Sequence, residues 1–381
     1  MKRFYLSAFL GDLALGAVLL SIPLLLIFKF DSSSLTLGFF GAVGSLAYST
    51  GVIRIGMLTD RIDRKSVIIS GCLVFVAVYA VLPFVPSKWP ILALYALGAF
   101  SMSMFWPTLQ SWLSQGLDKK GLVNSLMYFN IFWSLGITLG FLAAGFLFAF
   151  AFWAPFVFGI ILMAANIWFL RHQPVVSEYS EGAARAAFLR TEKERPPEAP
   201  KFLYIAWTAN FMSWYIIGTA RNIFPKLAAE IGFESGFIGF LIFLMMFAQT
   251  AAFFVLGKTH AWHYRFWPVL LCQAVSMAGL FMIFSFSTAP ALMAAMVMLG
   301  VSSGMTYFSS IFYSLFGFLD KGRRSGIHEA FVGIGAFLGP LTGGLAAHFV
   351  GLRAPYIIAM AFLLIAIIIE GSIFLRCPHG A

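Results

Sequence analysis

The chain reads as a succession of apolar runs of about 20 residues, parted by short polar breaks. A helix rises ~1.5 Å per residue, so a run of that length crosses the ~30 Å hydrocarbon core of a bilayer. Twelve runs qualify, at roughly 5–28, 35–57, 66–86, 89–112, 122–146, 150–170, 201–225, 235–256, 266–287, 289–315, 325–349 and 352–375. One break is longer than the rest. Residues 171–200 contain Arg171, Glu178, Glu181, Arg185, Arg190, Glu192, Lys193, Glu194, Arg195 and Glu198, with Pro196, Pro197 and Pro200. Such a stretch cannot cross a membrane and has the makeup of a cytoplasmic linker. It divides the chain into a first bundle, 1–170, and a second, 201–381, each with six spans.

The halves echo each other at an offset near 200. Gly136, Gly140 and Gly145 recur as Gly335, Gly339 and Gly344. Ala154-Pro155-Phe156 answers Ala354-Pro355-Tyr356, Asp118-Lys119 answers Asp320-Lys321, and Cys72 answers Cys272. The expected fold is therefore an all-α membrane protein, its twelve transmembrane helices arranged as two pseudo-symmetric six-helix bundles. In such repeats the substrate site lies between the bundles near the midplane.

Composition agrees. The chain is 61% hydrophobic and 10% charged, against about 25% charged for an ordinary soluble domain. The net charge of +10 is a topology signal. With the N-terminus inside, nineteen lysines and arginines fall on inner segments and four (Lys29, Lys88, Lys226, Arg353) on outer ones. The positive-inside rule then places both termini in the cytoplasm, and nucleic-acid binding need not be invoked. The expected setting is multi-pass in the plasma (inner) membrane. Cys72 and Cys272 fall inside spans and Cys377 in the inner tail, so no disulfide framework is expected. The opening Met1-Lys2-Arg3 followed by apolar residues is read as a retained first helix, because the run is too long for a signal peptide and carries Asp12.

The most specific segment is 56–68, G-M-L-T-D-R-I-D-R-K-S-V-I, a charged hairpin between spans 2 and 3. It resembles the loop between helices 2 and 3 of the major facilitator superfamily. Gly56, Leu58, Asp60, Arg61, Arg64, Lys65 and Ile68 match that family's pattern, and Asp63 stands where a second glycine is usual. The resemblance implies a secondary transporter working by alternating access, with Gly56, Asp60, Arg61, Arg64 and Lys65 as a conformational latch on the cytoplasmic side. The bland alternative is a positive-inside anchor, which would not require Gly56 or Asp60. The counterpart loop at 257–265 keeps Gly257 and positive charge but has no acid.

Charges inside the spans are few: Asp12, Arg54, Arg221, Glu329 and Glu370. Each is costly in hydrocarbon and so draws a functional reading. Arg54, Arg221 and Glu370 lie near helix ends, where snorkelling to the interface explains them. Asp12 and Glu329 are the candidates for proton or ion coupling. For Glu329, placed at the opening of span 11, a carboxylate favoured by the helix dipole is the alternative.

Amides and rings within the spans mark a candidate cavity: Gln110, Asn130, Trp133, Asn210, Trp214, Gln249 and Tyr307. Asn130 and Trp133 share a helix face. With so few deep charges, this set suits a neutral or amphipathic organic solute such as a sugar or a lipophilic compound. Gly335, Gly339, Pro340, Gly343 and Gly344 give span 11 a kink and a close-packing surface. In antiporters of the resembling family such a motif belongs to helix 5, where this chain has Phe141 and Ala144 instead, and the arginine frequent in helix 4 of efflux members is Leu94 here.

The reading is a secondary active transporter of a small organic solute, proton-coupled and leaning to efflux, working as a monomer in the lipid bilayer. An uncoupled facilitator, an uptake symporter of sugar-like solutes and a transporter-like membrane sensor are the alternatives. An enzyme is not expected. Four residues beyond His328 stands Val332, so the H-E-x-x-H zinc spacing fails. No Walker loop or other cofactor motif stands out, and no metal or cofactor is expected.

Overall fold

The computed structural model describes residues 2–58, 63–113, 119–172, 197–315 and 321–376. Among them, twelve long helices follow in order: α1 (Lys2–Phe28), α2 (Ser34–Leu58), α3 (Arg64–Val81), α4 (Lys88–Leu113), α5 (Lys119–Phe150), α6 (Ala154–Arg171), α7 (Ala199–Asn222), α8 (Ser235–Lys258), α9 (Phe266–Ser285), α10 (Ala289–Leu315), α11 (Lys321–Phe349) and α12 (Ala354–Arg376). In lipid a helix satisfies its backbone polar groups internally, so apolar runs of this length have little other choice. The expected linker at 171–200 falls largely on residues 173–196, outside the described residues.

Span 7 departs from expectation. The run expected to reach 225 stops at Asn222, and a separate short helix, Phe224–Ile231, follows it. Pro225 sits in the first turn of this short helix, where its missing N–H costs nothing. Gly232, at φ +102°, closes it in the left-handed conformation. Lys226 holds this helix with ion pairs to Glu230 and Asp31.

Helix pairing repeats between the halves. In the first, α1 packs on α5 and α6, α2 on α4, and α3 on α4 and α6. In the second, α7 packs on α11 and α12, α8 on α10, and α9 on α10 and α12. Two extensive pairings join the halves, α2 with α11 and α5 with α8. Eleven of the long helices are apolar enough to cross a membrane by length and composition; α7 is the exception. It carries Asn210, Ser213, Thr219 and Arg221, and most of its length is buried among α10, α11 and α12. A helix hidden from lipid needs no lipid-compatible surface. In its counterpart α1 78% of the residues in an 18-residue apolar stretch are buried, against 22% in α12, which shows Leu364, Ile368 and Leu375 outward.

The glycine repeat explains how the halves meet. A Cβ on Gly136 or Gly140 would strike the α1 backbone, and one on Gly335 or Gly339 would strike the α7 backbone. The third glycine of each set faces the other half. A Cβ at Gly145 would lie 2.8 Å from Gly239 Cα of α8, and one at Gly344 would lie 2.7 Å from Gly38 Cα of α2. Gly343 faces Thr219 of α7, and Pro340 packs against both Gly41 and Gly218. The glycine–proline motif of α11 is thus a two-sided packing surface. Both glycine-on-glycine contacts lie at the same end of the bundle, opposite the face that carries the first residues of α1 and the last of α12. Toward that terminal face the α2–α11 seam loosens: Thr50, Arg54, Gly326 and Ala330 are exposed, while Gly38, Phe40, Gly339 and Gly344 are buried.

Candidate functional site

Near mid-helix the surfaces facing across the two halves are polar and aromatic. Tyr307 of α10 is the hub. Its ring lies 6.1 Å from Trp133 of α5, 6.1 Å from Trp214 of α7, 5.6 Å from Phe253 of α8 and 5.1 Å from His328 of α11. Trp133 also meets Trp106, at 6.5 Å, and donates its Nε1–H to Asn130 Oδ1 at 2.9 Å. Trp133, Trp214, Tyr307, Tyr48 and Glu329 are each half-buried although they sit deep in their helices and face the opposite half. Trp133 and Tyr307 meet here across the space between the halves.

The structure brings the two acids singled out in the sequence to this space, one from each half. Asp12 of α1 is 2% exposed, lies against Gly136 of α5, and has Oδ2 without a hydrogen-bond partner. Glu329 lies eight residues into α11. Both carboxyls fall within electrostatic reach of Tyr48 of α2 and of Tyr307. The dipole account of Glu329 fails here, because that field fades beyond the first turn and α11 begins at Lys321, earlier than the sequence pattern indicated.

The cavity candidates divide. Trp133, Trp214, Tyr307 and Asn130 line the shared space. Asn210 is buried beside it, its Nδ2 3.5 Å from His328 Nδ1, which also meets Ser310 Oγ at 2.7 Å. Gln249 turns into the α8–α10 seam and accepts from Ser303 Oγ at 3.0 Å. The side chain of Gln110 lies outside the described residues. Of the latch, Asp60 and Arg61 lie outside them and Gly56 belongs to the last turn of α2. Arg64 opens α3, and Lys65 donates from Nζ to the Arg171 carbonyl at 2.5 Å, tying α3 to α6. Asp63, the residue replacing the expected glycine, caps α3: its carboxylate accepts from Ser66 N–H and Oγ–H, both at 2.9 Å. Slight burial of Asp63 is outweighed by these bonds, and its carboxyl sits below the ordinary range.

Two residues assigned to snorkelling do otherwise. Glu370 is fully buried and accepts from Gln273 Nε2 at 2.9 Å, joining α12 to α9. Arg221 turns inward to stack on Trp214, 5.6 Å from its ring centre. Arg54 is exposed near the end of α2. Sequence reasoning passed over Tyr48, because an isolated tyrosine in an apolar run carries no pattern. It also missed the buried Ser7–Asn166 pair, in which Ser7 Oγ donates to Asn166 Oδ1 at 2.6 Å between α1 and α6.

Comparison with known proteins agrees with this architecture. The family model described as Major Facilitator Superfamily matches residues 4–316 and, again, 203–379. The 3-(3-hydroxy-phenyl)propionate transporter of Escherichia coli (strain K12) is 24% identical over 328 residues, covering 83% of this chain and 78% of its own length. Among solved structures, nucleoside transporter NupG superposes with a TM-score of 0.76 at 12% identity, covering 99% of each chain. A bacterial homologue of the human lysosomal transporter Spinster, in an inward-facing and occupied conformation, gives 0.72 at 14% identity, with 98% of this chain and 96% of that one covered.

Proposed function

The chain belongs to the major facilitator superfamily and is a multi-span transporter rather than an enzyme, and on that premise we propose that it moves a small organic solute between its two halves with protons carried by Asp12 and Glu329. One observation carries this reading: a buried carboxyl from the first half and a half-buried one from the second lie within electrostatic range of the same pair of tyrosines, Tyr48 and Tyr307. Charge deep in a membrane protein is costly. A proton taken up on one side and released on the other then couples to the rocking of residues 1–170 against 201–381. A proton dependent oligopeptide transporter shares the fold, with a TM-score of 0.73 at 12% identity, and lends support.

The glycine contacts close the face opposite the termini in this conformation. With the termini cytoplasmic, as the distribution of lysine and arginine favours, this is an inward-facing state in the plasma (inner) membrane. Gly56, Asp60, Arg61, Arg64 and Lys65 would latch the terminal face in the alternate state; here Lys65 bonds within the first half. The α11 glycines have packing partners that account for them and carry no sign of a direction. The direction of net flux is therefore assigned to the imposed gradients, and the carrier is taken to act as a monomer.

The test is proton movement in sealed proteoliposomes with an internal pH dye, on adding a panel of sugars, nucleosides and organic acids. The parent runs beside Asp12→Asn and Glu329→Gln. A solute-dependent pH change that is lost in either variant supports coupling at that acid. Labelled solute equilibrating without any pH change refutes coupling and leaves a facilitator. Binding without movement of any solute refutes transport and leaves a sensor.

A further inference from the structure

Arg221 lies one residue from the end of α7, a short reach from water at the closed face. Its guanidinium turns the other way, back along the helix to Trp214, whose Cα is about 10 Å deeper. Helical side chains lean towards the N-terminus, so the inward path is open to it, yet a cation in the interior needs an acceptor. Among the described residues no carboxylate pairs with it. The ion pairs among the described residues both belong to Lys226, and Arg221 Nε is occluded without a hydrogen-bond partner. The side chain it senses electrostatically is Tyr95 of α4, a neutral phenol. Asp12 and Glu329 act electrostatically on Tyr48 and Tyr307 instead. Beside the guanidinium, Trp214 Nε1–H is a second buried donor without a partner. Two orphaned donors side by side, one of them charged, describe a place for an anionic acceptor.

The neighbourhood narrows the anion. Trp214 leads to Tyr307, and Tyr307 to Trp133 and Phe253, so the unpaired cation stands at the rim of an aromatic cluster drawn from both halves. Lys226, five residues further along the chain, is already bound to Asp31 and Glu230. One guanidinium neutralises a monoanion, and its planar fork matches a carboxylate. We propose that the solute of this transporter is an organic monocarboxylate with a planar ring, its carboxylate held by Arg221 and its ring seated against Trp214, Tyr307 and Trp133. This deepens the transporter reading and rests on it. It replaces the neutral or sugar-like solute that the sequence suggested, because snorkelling had removed Arg221 from the reckoning.

The test is binding to the purified full chain in nanodiscs, followed by tryptophan fluorescence and calorimetry. Benzoate, phenylacetate and 2-naphthoate are compared with their amides, which keep shape and lose the charge. The expected result is an acid that binds about tenfold to a hundredfold more tightly than its amide. Arg221→Gln should abolish that preference, and Arg221→Lys should restore part of it. Thermal unfolding of each variant establishes that it is folded, and the lysine variant keeps the test decisive where glutamine unfolds the protein. Equal affinity for acid and amide, an acid preference that survives in Arg221→Gln, or failure of every carboxylate to bind overturns the proposal. Binding is read without transport. An acid that binds through Arg221 but is not moved sinks the transporter reading alone, and a neutral solute moved independently of Arg221 sinks this inference alone.

Discussion

Replacing Gly145 by alanine places one methyl group at the contact that closes the bundle. The new Cβ would lie 2.6 Å from the Ser235 carbonyl oxygen, 2.8 Å from Gly239 Cα and 3.0 Å from Gly239 N. All three are backbone atoms and cannot swing aside. The first two distances fall roughly 0.6–0.8 Å short of ordinary van der Waals contact, so α5 and α8 must part locally. Overpacking of this kind costs about 1–3 kcal/mol. The cost falls only on the state in which this face is closed. If transport alternates between faces, the equilibrium should shift about 5- to 150-fold towards the state open here. Spin labels at Phe150 and Glu234, which flank the contact at the end of α5 and the start of α8, report it as a longer distance population. Two controls separate this from general damage. Gly371→Ala meets nothing within 4 Å and should change nothing. Gly140→Ala strikes α1, with Leu13 O at 2.7 Å and Gly16 Cα at 2.8 Å, and should lower stability without lengthening the distance between the halves. A folded Gly145→Ala protein with the parent's distance distribution would refute the claim that this contact belongs to one state only.

Three further outcomes are expected. Asp63→Ala should destabilise the start of α3 by about 0.5–2 kcal/mol, read from unfolding in detergent. Because its carboxyl sits below the ordinary range, the Asp63 contribution is complete above about pH 3.9 and is lost as pH falls through the lower folded value. His263, in the loop before α9, is stacked 4.5 Å from Phe312, and burial with the neighbouring His260 pushes it down to about 4. Between about pH 6.5 and 4 the unfolded chain binds a proton at this site that the folded chain does not, so stability falls as pH falls; His263→Phe should flatten that slope in thermal scans. A double-mutant cycle of Ser7→Ala with Asn166→Leu should return a coupling of about 0.6–1.7 kcal/mol, as for other hydrogen bonds between membrane helices, and zero coupling would remove the α1–α6 bond from the account.

What could be read in advance follows from which interactions are periodic. Membrane crossing depends on apolar length, and glycine contacts depend on a missing Cβ, so both leave marks that need no partner to be recognised. The spans and the pairing of Gly136, Gly140 and Gly145 with Gly335, Gly339 and Gly344 were legible for that reason. The end of α7 was misplaced because Asn222 and Ile223 break no hydropathy rule; Pro225 marked a helix start that the apolar run concealed. The site was half legible. An acid in an apolar run is conspicuous wherever it points, so Asp12 and Glu329 stood out. The direction a side chain takes is not written in its depth. Arg221 and Glu370 lie near helix ends, and depth alone assigned both to the interface. Neighbours from distant sequence decided otherwise: Trp214 and Tyr95 draw the guanidinium inward, and Gln273 of α9 receives the carboxyl of α12. The Arg221 case carries the greater consequence. Depth alone leaves the cavity with acids and amides, which suits a neutral solute. An inward guanidinium gives it an uncompensated positive charge at one rim, and the solute's charge follows from that single rotation.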